Sequence, residues 1–285
     1  MAATIKAGYL NTPLGQIHYY HSAPVTPPAT PKLPMLLMHM SASSAKSFFT
    51  MMPMLTALGY ACYAPDMPGF GSSFDPASDP PSISWYATLY YEAIKSQLPA
   101  FAKGCHVIGH HSGGILGMEL ASSPDQFPGF VQSLTIVGAS VMTAADRAEM
   151  AKTFLEPFNK PVAVGDHLGK TWAYLQWEGL KNETEAEIAL LQREAIDHIR
   201  AWKGRNQIYS CVWKYERMEA LDAIPETVPV AGLCARDDVL WPYYGNFHAL
   251  VTRPIETTEI KGGNFGPDLD PEGILDAFLR LISEK

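Results

Sequence analysis

Val107 to Gly114 reads V-I-G-H-H-S-G-G, and the fold turns on how this stretch is read. Cys105 to Ile108 is a short apolar run of the length of a buried strand. Gly113 to Ser122, G-G-I-L-G-M-E-L-A-S, has the period of a helix with an apolar face. A strand that runs straight into a helix forces one residue into a tight bend, and only small residues fit two places before and after it. With His111 at the bend the flanks are Gly109 and Gly113; with Ser112 they are His110 and Gly114. His110 is too bulky for a flank, so the bend falls on His111.

The same strand and helix periods continue outward. Leu33 to Met40, Ala61 to Pro65 and Val131 to Ala139 are apolar runs of the kind that form parallel strands covered on both faces. Ser47 to Leu58, Trp85 to Leu98 and Glu272 to Ile282 carry helical periodicity. Residues 4–22 alternate around Asn11 to Gly15, N-T-P-L-G, which predicts a β-hairpin, and the Pro-rich Ala23 to Pro31 reads as an exposed loop. Strands alternating with helices predict an α/β fold with a mostly parallel sheet and helices on both faces. From about Thr143 to Glu219 the pattern is helical throughout and rich in Trp, Tyr and Glu.

These stretches resemble the α/β-hydrolase superfamily, especially its epoxide-hydrolase and carbon–carbon-hydrolase branches. Val107 to Gly114 is similar to the nucleophile elbow, with His111 where the family has serine. Val228 to Pro242, V-P-V-A-G-L-C-A-R-D-D-V-L-W-P, resembles the strand and D-x-x-x-P turn that carry the catalytic acid, and the register puts Asp238, not Asp237, in that place. Ile260 to Pro271 resembles the loop that usually reads G-G-H-F and supplies the catalytic histidine; Asn264 holds that position. H-M-S-A-S-S, from His39, is similar to the loop bearing the first oxyanion-hole residue, and Ala64 to Ser73 is a strand-to-loop signature of the same branches. Asp66 within it reads as a turn-forming residue.

The resemblance implies an eight-stranded, mostly parallel sheet, a core domain of residues 1–140 and 220–285, and a helical lid over 141–219. It implies backbone oxyanion donors at Met40 and Ser112. It also gives the lid an aromatic underside, and we place His39, His110, Trp172, Trp177 and Trp213 against substrate.

An amide does not titrate near neutral pH, so Asn264 cannot serve as the base of a serine triad. A histidine reaches farther than a serine, which leads to the expectation that His111 pairs with Asp238 as an acid/base dyad while Asn264 orients a substrate oxygen or a water. Such a dyad favours elimination, carbon–carbon cleavage, isomerisation or cyclisation of a small apolar carbonyl compound: a lactone, ester, ketone or polyketide-like metabolite. Hydrolysis by His111-activated water, or by Ser112 with His110 or His111 as base, is the alternative. Two further readings are a ligand-binding protein without catalysis and a metal held by His39, His110 and His111, for which no completing carboxylate can be named.

A net charge of −8 with no Lys/Arg-rich run argues against nucleic acid and membrane surfaces as partners. No apolar segment approaches the roughly 20 residues of a membrane span, and the N-terminal M-A-A-T-I-K-A-G-Y lacks the apolar centre of a secretion signal. A cytoplasmic monomer or homodimer is expected. Cys62, Cys105, Cys211 and Cys234 show no C-x-x-C spacing and read as buried free thiols. Without a phosphate loop or dinucleotide fingerprint, neither cofactor nor metal is expected.

Overall fold

The computed structural model describes residues 4–26, 28–138, 141–181 and 184–283. Pro27 of the expected loop, Ala139 at the end of an expected strand, the expected core boundary at residue 140 and the first three residues lie outside the described residues.

The N-terminal hairpin pairs β1 (Lys6–Thr12) with β2 (Gly15–Ser22) around the Pro/Gly turn. Strand and helix then alternate through β3 (Met35–Met38), α1 (Met51–Ala57), β4 (Cys62–Pro65), α2 (Ile83–Gln97), β5 (Cys105–His110), α3 (Ser112–Ser122) and β6 (Val131–Val137). Five helices follow with no strand among the described residues: α4 (Ala144–Phe154), α5 (Asp166–Trp177), α6 (Glu185–Arg200), α7 (Trp202–Val212) and α8 (Arg217–Ala223). The chain closes with β7 (Val230–Ala235), α9 (Asn246–Ala249), β8 (Glu256–Ile260), α10 (Gly266–Leu269) and α11 (Pro271–Ser283).

The strands form one eight-stranded sheet in the order β1-β2-β4-β3-β5-β6-β7-β8. Pairing is antiparallel from β1 to β4 and parallel from there to β8. The inner strands are apolar on both faces because both are covered. Leu36 and Met38 pack with α2 and α3, whereas Met35 and Leu37 pack with α1 and α11.

One helix differs from expectation. Ser47 to Leu58 is split into a 3-10 turn, Ala45–Phe48, and α1 from Met51. Pro53 explains the break: its ring fits only the first turn of a helix, so α1 must begin just ahead of it. The C-terminal ends of β3, β5, β6 and β7 all point toward the long helical segment, and the crevice at such strand ends is where open α/β sheets bind ligands.

Candidate active site

β5 ends at His110 and α3 starts at Ser112, leaving His111 alone between them at φ 46° and ψ −112°. A non-glycine residue held there carries strain of about 1–3 kcal/mol and persists only where the surroundings fix it. They do so here: the His111 amide donates to Val137 O at 2.8 Å, and its carbonyl accepts from the Ile115 amide at 3.2 Å. A Cβ on Gly109 would lie 2.5 Å from Gly113 O, and one on Gly113 would lie 2.1 Å from Met38 O. Both flanks therefore have to be glycine.

From the bend the imidazole crosses the end of β6, and its Nε2 lies 2.9 Å from Asp238 Oδ2 in the turn after β7. Gly138 makes the room: a Cβ there would stand 2.0 Å from the ring Cδ2 and 2.1 Å from Nε2. Nothing in the sequence patterns singled out this glycine. The other Asp238 oxygen, Oδ1, accepts from the Leu240 amide at 2.8 Å, so the buried carboxylate is fixed on both sides. Burial works against a charge on His111, yet the charge and hydrogen bond of Asp238, with Glu178 adding to them, raise its pKa above the ordinary histidine value. Among the described residues, no hydrogen bond engages its Nδ1.

His111 forms part of the wall of a cavity between the strand ends and helices α4 to α8, with about 60 Å³ of free space. Met40, Ser41 and Ser112 line its floor, and Glu178 lines it from the end of α5. Glu178 received no role from the sequence. It is a buried carboxyl that accepts from the Asn264 amide. Burial raises its pKa, which Tyr174 and His111 partly counter and Asp238 reinforces. The available signal was its phase on α5: Thr171, Tyr174 and Leu175 precede it by seven, four and three positions, and that stripe faces inward.

Several expected contacts are placed elsewhere. Asn264 is buried and absent from the cavity wall. Its Oδ1 accepts from the Val239 amide at 3.1 Å, and its Nδ2 donates to Glu178 O at 2.9 Å as well as to the Glu178 carboxyl. Its amide oxygen and nitrogen are both engaged, and it ties Glu178 to the turn that carries Asp238. His39 is also outside the wall: its Nε2 accepts from the Met67 amide at 2.9 Å and its Nδ1 donates to Met40 O at 2.7 Å. His110 is buried in the sheet end, also outside the wall. The three histidines thus do not converge as metal ligands. Trp172 and Trp177 are 37% and 60% exposed and fall on the outer face of α5, opposite the inward stripe. Trp213 does line the cavity. Asp66 is a turn residue as expected, accepting from the Ala45 and Ser72 amides at 2.8 and 2.9 Å and from His18 Nδ1 at 2.8 Å. All four cysteines are buried and free.

A model of the alpha/beta hydrolase family matches residues 35–277. The chain belongs to this family. It is 32% identical over 83 residues to a haloalkane dehalogenase of Psychrobacter cryohalolentis, a match covering 27% of this chain and 25% of that protein, about a quarter of its length. Its fold is similar to that of a hydrolase from Pseudomonas aeruginosa, with a TM-score of 0.74 at 16% identity over 97% of this chain and 98% of that one. It is also similar to an enol-lactonase from Burkholderia xenovorans, with a TM-score of 0.73 at 11% identity over 97% and 100% of the two chains. At these identities the likeness is one of fold. No described helix is long and apolar enough to cross a membrane.

Proposed function

We propose that this family member is an enzyme that moves protons on a small, largely apolar carbonyl compound, with His111 as the acid/base and Asp238 holding it. The observation that carries this reading is the 2.9 Å hydrogen bond from Nε2 of His111, in the cavity wall, to the buried Asp238 carboxylate. Asp238 accepts the hydrogen bond from Nε2–H and leaves the Nδ1 lone pair of the neutral ring for substrate. The bend presents an imidazole where an acyl-transfer enzyme needs a hydroxyl or thiol. Backbone amides of Met40 and Ser112 serve as oxyanion donors; Ser112 heads α3, where helix geometry leaves N–H groups without intrahelical acceptors.

In the proposed sequence, Nδ1 removes a proton from the carbon beside the carbonyl, and the electron pair passes to the amide-held oxygen. The Glu178 carboxyl, pushed toward its protonated form by burial, returns a proton. Asn264 acts as a positioning residue through Glu178. These steps suit isomerisation, elimination or carbon–carbon cleavage. Helices from the 141–219 segment stand over the strand ends and supply Phe154, Tyr174, His198 and Tyr209 to the cavity wall, so this segment serves as a lid over the site.

Hydrolysis is the second reading, favoured by the likeness to a lactonase fold; the same dyad would then activate a water. A panel of small ketones and lactones in deuterium oxide, followed by NMR and mass spectrometry, separates the two. Deuterium at the carbon beside the carbonyl supports proton transfer, and a product heavier by one water supports hydrolysis. His111→Gln is expected to lower either activity by about 10²–10⁴-fold. Fluorophosphonate labelling of Ser112 would overturn both in favour of serine chemistry.

A further inference from the structure

Arg217, the first residue of α8, is a buried guanidinium in the wall of the same cavity. Its Nη2 donates to Val212 O at 3.3 Å, while Nε and Nη1 have no partner among the described residues. The neighbouring Arg147 is just as buried but satisfied: Nη1 donates to Met142 O at 3.0 Å and Nη2 to Glu216. Glu216 thus pairs with Arg147, and among the described residues no carboxylate hydrogen-bonds Arg217. Burial and the Arg147 charge push the Arg217 pKa down to about 9. A buried charge is ordinarily paired, because leaving it unpaired is strongly unfavourable. The wall beside it is apolar, formed by Met150, Phe154, Val212 and Trp213, with the Trp213 ring 5.6 Å from the guanidinium carbon.

We propose that Arg217 binds a carboxylate of the substrate, so that the cavity takes an apolar carboxylic acid whose carbonyl end lies at His111. The assignment of the carbonyl end rests on the proposed function; the carboxylate site does not. A single planar guanidinium matches a carboxylate, and with Arg147 neutralised by Glu216 the local excess of one positive charge suits a monoanion better than a phosphate dianion. The spacing follows from α3. Tyr215 sits against Glu119 and Ser122, whereas His111 precedes the first residue of the helix. The cavity wall runs along α3 from His111 to Met118, and at 1.5 Å per residue those seven steps span roughly 10 Å along the helix axis, a span filled by an aromatic ring or a short alkyl chain.

The test is isothermal titration of the purified protein near neutral pH with hydrocinnamate and with its neutral amide. Hydrocinnamate is expected to bind about 10- to 100-fold more tightly, the scale of one charge-assisted hydrogen-bonded pair. Arg217→Met should erase that preference while amide binding persists, and Arg217→Lys should keep part of it. Removing an unpaired buried charge should leave the Tm of Arg217→Met at or above that of the unmodified protein. A lower Tm would make the guanidinium a structural group and overturn the proposal. Equal binding of acid and amide, binding of neither, or a preference surviving in Arg217→Met would also overturn it. His111→Gln separates the two readings: full turnover together with an intact acid preference would sink the proposed chemistry and leave the Arg217 site standing.

Discussion

His110 and His111 are consecutive residues of one type, their ring centroids 4.6 Å apart, and their surroundings drive protonation in opposite directions. His110 ends β5 inside the packed sheet, where burial first, and then the neighbouring His111 and His39, push its pKa well down. His111 keeps 16% of its side chain exposed and is turned by the bend onto Asp238, and the carboxylate reverses the sign. Residue type thus decides little at this site. One hydrogen-bonded acid separates a neutral packing group from a group able to carry a proton.

The sharpest way to break the contrast is Asp238→Asn, which keeps the shape of the acid and removes its charge. His111 should then titrate below its unmodified value, as seen by imidazole NMR, and activity should fall by about 10²–10³-fold, within the range of acid/base catalysis. A raised histidine pKa stabilises the fold fully below the unfolded value of about 6.5, and that contribution fades as pH climbs through the folded value. The Tm gap between the unmodified protein and Asp238→Asn should therefore be wider at mildly acidic pH than at alkaline pH. A gap that widens upward would contradict the pairing.

Gly138→Ala tests the same contrast without touching either partner. Its Cβ would fall 2.0 Å from the His111 ring, at a φ of 62° that disfavours alanine in its own right. The ring must swing off Asp238, and a displacement of this size is expected to lower activity by about 10²-fold while the His111 pKa drops. An unchanged His111 titration would show that the ring has another way to reach the acid. A smaller effect is expected from Asn264→Ala, which strips a donor from the Glu178 carboxyl and an acceptor from the Val239 amide. Unsatisfied buried groups of this kind cost about 1–3 kcal/mol, readable in denaturant unfolding.

What could be read in advance follows from the range of the forces involved. The bend at His111 is marked by glycines two places on either side of it, and the acid register by a local turn, so both are written in consecutive residues. The break before α1 was also local, carried by Pro53, but the apolar period masked it. Gly138 and Glu178 depend on what stands across the cavity, and no local pattern carries that. Asn264 shows the limit from the other side: its place in the chain was legible, but its partners come from the end of α5 and the β7 turn, and no local pattern names them.

The smallest expected effect concerns α5. Composition treats Trp172, Tyr174 and Trp177 alike as aromatic, whereas the helix sends Tyr174 inward beside Glu178 and leaves Trp177 60% exposed. Trp177 meets the inner stripe through a tilted contact with the Tyr174 ring, at 5.9 Å between centroids. Trp177→Ala should accordingly change stability by no more than about 0.5 kcal/mol, as for an ordinary surface site, with turnover unaltered. Tyr174→Ala should lower turnover, because it opens the space against which the Glu178 carboxyl is packed. Reversal of that order would mean that α5 presents its other face during turnover, through a rotation of the helical segment.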